Sequence, residues 1–183
     1  MSIIVKIKEK IGSIILKNKR NNSRKRGVYN FETAKTVGII LNANSQFTFE
    51  TARDFVKYIQ SFKIEVLSLG FVDSVEVLNF YSRQIGMDYF SKKNLNWYGK
   101  PKNPKVQEFI QKDFDILIDL SLNDYFPIQY ITASSNAKFK IGRFKNESAC
   151  YDLMIDISEN KKLDFYIEQI KHYLSILKTN NND

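Results

Sequence analysis

The chain has 183 residues, of which 43% are hydrophobic and 26% charged, a composition typical of one globular domain and not of a disordered or fibrous protein. Its apolar runs fall far short of the roughly 20 residues that cross a bilayer, and its basic N-terminus lacks the continuous apolar stretch of a secretory signal, so we expect a cytoplasmic protein. A single cysteine and a single histidine, Cys150 and His172, exclude a disulfide framework and a Cys/His zinc site, and we expect no structural metal and no cofactor.

The net charge of +8 is concentrated at the N-terminus. Residues 1–26 hold nine of the 28 lysines and arginines but only one of the 20 acids, Glu9, so the rest of the chain carries 19 charges of each sign. Charge loaded at one end of a neutral body indicates an anionic partner, which could be RNA, DNA or a phospholipid surface.

An amphipathic helix is predicted within this basic segment. Its apolar stripe consists of isoleucines at spacings of three and four: Ile4, Ile7, Ile11, Ile14 and Ile15. Gly12 weakens the helix, which therefore needs a surface to pack on: the protein's own body, an RNA-rich partner such as the ribosome, or an anionic membrane surface. We predict that residues 18–26 form a mobile basic linker, which either binds nucleic acid or serves as a solvated tail. The cationic candidates for nucleic-acid binding are Lys17, Lys19, Arg20, Arg24, Lys25 and Arg26.

After the basic segment, strands and helices are predicted to alternate. Val37–Leu41 has the continuous apolar run of a buried strand, and a helix with apolar residues at the 3.6 period begins near Thr48. Residues 63–71 predict a second strand and residues 74–86 a short helix. Residues 87–104 are predicted to be irregular or extended.

The second half continues this alternation. Asn103 followed by Pro104 is the sequence of a helix N-cap and first turn. Predicted next are a buried strand at 115–120, a helix at 127–134, strands at 138–144 and 151–157, a helix at 163–177 and a frayed tail at 179–183. Because such alternation requires crossover connections, we predict a single Rossmann-like or flavodoxin-like α/β domain at 27–178, with helices flanking a mainly parallel sheet.

The loops after the two most apolar strands are candidate ligand loops, because ligands of open parallel sheets lie beyond the carboxyl ends of the strands. Their polar residues are Asn42, Asn44 and Ser45 in the first loop and Asp119, Ser121 and Asn123 in the second. Neither loop has the glycines of a dinucleotide-binding or phosphate-binding motif. Ordinary capping and turn chemistry therefore stays open beside nucleotide binding, and no residue is assigned a catalytic role.

Two resemblances accompany these patterns. Residues 113–120, DFDILIDL, and 137–144, AKFKIGRF, resemble the amino-terminal Rossmann-like domain of heptosyltransferase-type glycosyltransferases. This resemblance covers residues 114–144 and implies the fold and not the activity, which in those enzymes needs a second, nucleotide-sugar-binding domain. The order of elements, residues 96–101, NWYGKP, and the strand at 137–142 are similar to an uncharacterised family of short α/β proteins from Bacteroidota-type bacteria. This second resemblance covers most of the chain, from the basic segment onward.

A second basic element interleaves aromatic rings with lysines between Tyr89 and Lys105, without an intervening acid. Its candidate nucleic-acid-binding residues are Lys92, Lys93, Trp97, Tyr98, Lys100 and Lys102. Rings stack on bases while lysines meet phosphates, although the rings could instead anchor a long connection to the core. The leading hypothesis is a non-enzymatic protein that docks RNA or a ribosome-associated partner. The alternatives are a small nucleotide- or nucleotide-sugar-binding enzyme and a peripheral membrane protein; the oligomeric state stays open.

Overall fold

A computed structural model describes residues 3–20, 24–75, 87–145 and 150–179. In these residues the chain forms five α-helices and six strands arranged as an α/β fold, which confirms the predicted fold class. The helices are α1 (Ile3–Arg20), α2 (Gln46–Gln60), α3 (Pro104–Gln111), α4 (Phe126–Ser134) and α5 (Leu163–Ile176). The strands are β1 (Thr36–Asn42), β2 (Glu65–Val72), β3 (Met87–Ser91), β4 (Ile116–Asp119), β5 (Phe139–Arg143) and β6 (Leu153–Ile155).

The six strands form one parallel sheet in the order β3-β2-β1-β4-β5-β6. At its centre, Ile39 of β1 lies opposite Ser68 of β2 on one side and Ile118 of β4 on the other. The chain runs outward from β1 to β3 and then returns to β4 on the other side of β1. This is the doubly wound strand order, in which a crevice opens where the chain reverses, beyond the carboxyl ends of β1 and β4.

Two apolar cores cover the two faces of the sheet. On one face Ile39 packs in a cluster with Phe55 of α2 and Ile170 of α5. On the other face Ile40 and Leu117 pack in a cluster that includes residues of α1, α3 and α4. Successive strand residues point to opposite faces, so a strand covered on both faces is apolar throughout, which explains the continuous run that predicted β1.

The segment that was predicted to be irregular or extended, residues 87–104, begins with a strand that the sequence did not identify as one. Met87–Ser91 is the edge strand β3, which pairs with β2 through contacts such as Phe90 opposite Phe71, and a short 3₁₀-helix follows at Lys92–Asn94. The strand is short and carries the exposed Asp88, so its apolar pattern is too brief to be recognised. The predicted helix at 74–86 lies mostly outside the described residues.

The basic N-terminal segment forms α1, and the protein's own body supplies the surface on which it packs. Gly12 and Leu16 are buried against α4, with Ile15 partly buried beside them. Ile14 was predicted to lie on the apolar stripe, and this is wrong: its side chain is 52% exposed. The helix is rotated so that the small Gly12 faces α4, which permits a close approach. Side chains before Lys10, among them Ile4 and Ile7, lie outside the described residues.

Candidate functional site

The polar side chains of the loop after β1 bond to the chain's own backbone. Asn44 accepts a hydrogen bond through Oδ1 from the amide of Asp73 at 2.7 Å, and Asn42 donates through Nδ2 to the carbonyl of Phe71 at 3.4 Å. Ser45 caps α2 by accepting from the amide of Thr48 at 3.1 Å. These contacts join the ends of β1 and β2, as expected for capping and turn chemistry.

The loop after β4 begins at Asp119, the last residue of that strand, whose carboxylate is buried and accepts hydrogen bonds through both oxygens. One oxygen accepts from the amide of Ser121 at 2.9 Å and the other from the hydroxyl of Tyr151 at 2.5 Å. Burial, together with the neighbouring negative charge of Asp119, raises the pKa of Tyr151 well above its ordinary value, so the phenol remains a donor. Asp119 therefore anchors Tyr151 over the sheet, whereas Asn123 in the same loop is exposed.

The ring of Phe126, the first residue of α4, joins the two predicted basic elements. A β-carbon placed on Gly12 of α1 would lie 3.0 Å from Cε2 on one edge of this ring. A β-carbon placed on Gly99 would lie 3.0 Å from Cδ1 on its other edge. Both glycines therefore touch the same ring, and α1 lies next to the turn that carries Trp97 and Lys100.

This turn is closed by the amide side chain of Asn96. Its Oδ1 accepts from the backbone amides of Tyr98, at 3.2 Å, and Lys100, at 2.8 Å, and Gly99 adopts the left-handed backbone conformation with a φ of 97°. The turn holds Trp97 outward with 61% of its surface exposed, and the Tyr98 ring meets it edge-on at 5.3 Å between centroids. A large aromatic ring is thus presented to solvent by a well-bonded turn.

The lysines around the turn fall into two groups. Lys92 forms an ion pair with Asp73 at 2.9 Å, and Lys100 is half-buried with its ammonium over the Tyr130 ring, 5.5 Å from the centroid. Lys93 and Lys102 are exposed and form no ion pair with any acid in the described residues.

Exposed residues also line the outer side of α1. Among residues 10–18, whose side chains are described, they recur at helical spacing and include no acid: Lys10, Ser13, Ile14, Lys17 and Asn18. We call the exposed cations of this helix and around the turn, together with the exposed tryptophan, the basic–aromatic surface: Lys10, Lys17, Lys93, Trp97 and Lys102. The predicted residues Lys19 and Arg20 belong to α1, but their side chains lie outside the described residues.

Arg24 lies at the opposite, amino edge of the sheet and is not exposed. Its Nη1 donates to the carbonyls of Ala137 and Lys138, at 3.0 and 2.8 Å, and its Nη2 lies 2.6 Å from both carboxylate oxygens of Asp152. With only 5% of its side chain exposed, Arg24 is held by the protein itself. The expectation that residues 18–26 form a mobile linker is therefore wrong for Arg24, and also for the residues through Arg20 that continue α1.

The other two cations of this segment, Lys25 and Arg26, are exposed. Because they follow directly after the anchored Arg24 at the amino edge, they lie at the opposite edge of the sheet from Trp97, which follows β3 at the carboxyl edge. The predicted nucleic-acid-binding residues are thus divided between the two edges of the sheet, and α1 runs between them.

A buried lysine lies beneath Arg24. Lys140 of β5 donates through Nζ to the carbonyl of Thr132 in α4 at 2.7 Å, and its backbone amide donates to Asp152. Burial, reinforced by the positive charge of Arg24, lowers the pKa of the Lys140 ammonium to about 8. The amino edge therefore holds a compact charged cluster in which Asp152 is the acceptor for both Arg24 and the Lys140 amide.

The described residues contain no group of three or more His, Cys, Asp or Glu side chains arranged to hold a metal ion. Cys150 is half-buried beside the α4 face of the sheet, and His172 is exposed on α5. No helix in the described part of the chain is long and apolar enough to span a membrane.

A family model described as a family of unknown function, DUF6913, matches residues 7–177. The chain belongs to this family. The match extends from within α1 to the end of α5, so it includes the basic helix together with the α/β body. No curated protein and no solved structure gave a match to the chain.

Sequence reasoning did not identify the residues that join the site. Phe126, Gly12 and Gly99 lie in three separate segments, and only their packing shows the connection. The one local signal is Gly12, since a glycine in a helix interior costs about 1 kcal/mol relative to alanine and usually marks a close approach. Arg24 and Asp152 are 128 positions apart, and no short-range pattern relates them.

Proposed function

We propose that this protein is a cytoplasmic, non-enzymatic binding protein that docks single-stranded RNA, free or within a ribosome-associated particle, on its basic–aromatic surface. The observation that carries the proposal is the packing of Gly12 and Gly99 on the two edges of the Phe126 ring. This packing brings the cationic helix α1 beside the exposed Trp97, so two elements that were predicted separately form one surface.

The chemistry of this surface suits a single strand. An exposed indole offers a stacking platform for an unpaired base, and base–aromatic stacking contributes about 1–3 kcal/mol per base. Lys93 and Lys102 beside it, and Lys10 and Lys17 along α1, supply cations for phosphates. Since α1 has 18 residues, it spans about 27 Å, and a strand that follows it would reach Lys25 and Arg26 at the amino edge.

Two observations favour this proposal over the alternatives. A membrane-surface helix needs an outward apolar face, whereas among the side chains of α1 that the structure describes, residues 10–18, the exposed ones are Lys10, Ser13, Lys17 and Asn18 with the single apolar Ile14. A nucleotide enzyme that used the loop after β1 would need Asn44 and Ser45, but both bond within the protein, and the Asp119 carboxylate at the end of β4 is bonded as well. The heptosyltransferase resemblance of residues 114–144 implies the fold alone.

The test compares two triple variants of equal net charge by fluorescence anisotropy with a labelled, unstructured RNA. In the first, Lys17, Lys93 and Lys102 are replaced by Glu. In the second, the exposed lysines Lys57, Lys162 and Lys178, which belong to or flank α2 and α5 on the other face, are replaced by Glu.

We expect the first variant to lose most of its affinity, and the slope of log affinity against log salt to fall in magnitude by about 2, since each phosphate contact on a single strand contributes about 0.7. The second variant should bind nearly as the wild type does. Equal losses in both variants, or binding that does not respond to salt, would contradict the proposal.

A further inference from the structure

A cleft of about 380 Å³ opens at the carboxyl edge of the sheet, beyond β4, β5 and β6. It is separate from the basic–aromatic surface, and three successive strand ends contribute to it. Asn123 follows β4, Arg143 ends β5, and Ser158 lies in the turn after β6. The volume lies at the lower end of the range of about 300–1,000 Å³ for small-molecule sites. The cleft therefore has room for one nucleotide and not for a dinucleotide.

The cleft has a cationic wall. Arg143 is held in place by Asp124, whose Oδ1 lies 2.8 Å from Nη2, and Lys145 contacts the same oxygen at 2.5 Å. The Nε of Arg143 is buried and has no hydrogen-bond partner among the described residues, so an acceptor on a bound ligand would stabilise it. Lys161 adds a second cation that no acid in the described residues pairs. Among the described residues around the cleft, the three cations Arg143, Lys145 and Lys161 outnumber the two acids Asp124 and Asp156, so the cleft favours an anion.

The remaining lining groups suit a planar base. Phe144, on the edge of the cleft, is 49% exposed, and an exposed aromatic ring gains by stacking on another ring. The exposed Asn123 can both donate to and accept from a base edge, and Ser158 offers a hydroxyl. A ring, an amide and two cations around a volume of this size match a ligand that joins a base to a phosphate.

We propose that this cleft binds a nucleoside monophosphate, with the base on Phe144 and the phosphate at Arg143 and Lys161. Side chains hold the phosphate, so the site does not require the glycine-rich loop that the sequence lacks. The site does not depend on the basic–aromatic surface, and either proposal can fail without the other.

The test is isothermal titration calorimetry of the full chain with the four nucleoside monophosphates, with adenosine and with inorganic phosphate. We expect at least one monophosphate to bind more tightly than both adenosine and phosphate. Lys161→Ala should weaken that binding about tenfold, because one charge-assisted contact is lost. Lys162→Ala, the matched control at the next exposed lysine, should stay within about twofold.

The variant Phe144→Ser, at an exposed position, tests the contact with the base separately from the contact with the phosphate. We expect it to weaken the monophosphate while leaving the affinity for inorganic phosphate unchanged. If phosphate binds as well as every monophosphate, or if none of the four shows measurable heat, the proposal is overturned. Equal loss in Lys161→Ala and Lys162→Ala would also overturn it, since it would place the phosphate outside the cleft.

Discussion

The guanidinium of Arg24 donates to both carboxylate oxygens of Asp152 at 2.6 Å, although the two residues are 128 positions apart in the chain. Arg24 follows α1, and Asp152 directly precedes the edge strand β6. The ion pair therefore connects the end of the basic segment to the sheet beside β6. With α4 holding the middle of α1, the helix is attached to the body at two points.

Replacing Arg24 by Ala should destabilise the protein by about 1.5–3 kcal/mol, because it removes a nearly buried guanidinium that donates to the Asp152 carboxylate and to the carbonyls of Ala137 and Lys138. Urea unfolding measures this free energy. The matched control is Arg26→Ala, which removes an exposed arginine 3.9 Å from the same carboxylate and should cost less than about 1 kcal/mol. Equal costs for the two variants would show that Arg24 is not the anchor.

The contact between α1 and α4 gives a second prediction. Gly12→Val would press a larger side chain against the Phe126 ring and should destabilise the protein by about 1–3 kcal/mol through overpacking. Ser13→Val, at the exposed neighbouring position, should change the stability by less than about 0.5 kcal/mol. In a Phe126→Ala background, Gly12→Val should cost less than it does in the wild type, because the ring that the valine would clash with is gone. An equal cost of Gly12→Val in the two backgrounds would place Gly12 away from Phe126.

Lys140 predicts how the stability depends on pH. Its pKa is about 8 in the folded protein and near 10.5 when unfolded, so between these values the unfolded chain binds more protons. The contribution of Lys140 to the free energy of unfolding therefore rises with pH above about 8. The rise reaches about 3 kcal/mol once Lys140 is deprotonated in both the folded and the unfolded protein.

Chemical unfolding at a series of pH values from about 7 to about 9.5 checks this prediction. Lys140→Met should remove the rise, so the difference in unfolding free energy between wild type and variant should change steadily across the series. The groups that act on Lys140 are Arg24, Arg26, Cys150 and Asp152, and all are retained in the variant. If the unfolding free energies of wild type and Lys140→Met change with pH in parallel, the pKa of Lys140 is not lowered in the folded protein.

Most of the fold could be predicted from the sequence because most of its elements carry a capping motif or an apolar pattern within their own residues. The Asn103-Pro104 start of α3 and the apolar runs of β1 and β4 lie where they were predicted. Edge strand β3 was missed, since its five residues alternate too briefly and its pairing with β2 supplies the stability. Helical periodicity found α1 but not its rotation, because the small Gly12 facing Phe126 decides which side is buried.

The candidate site was predicted only in part. The composition of Tyr89 to Lys105 identified Trp97 and the lysines beside it, but not their placement next to α1, which depends on a ring in a third segment. Arg24 was counted as a free cation because its partner, Asp152, lies far along the chain. Charge counting finds cations and does not distinguish a paired, buried one from an exposed one.

The most direct test uses Trp97, the single tryptophan of the chain, whose exposed ring makes its fluorescence a reporter for the proposed surface alone. Acrylamide quenching is measured with and without a saturating, unstructured RNA of roughly ten nucleotides, at about 50 and about 200 mM salt. We predict that the RNA protects Trp97 from acrylamide at low salt and loses this effect at high salt. If anisotropy shows the RNA bound while the quenching of Trp97 is unchanged, the basic–aromatic surface is not where it binds.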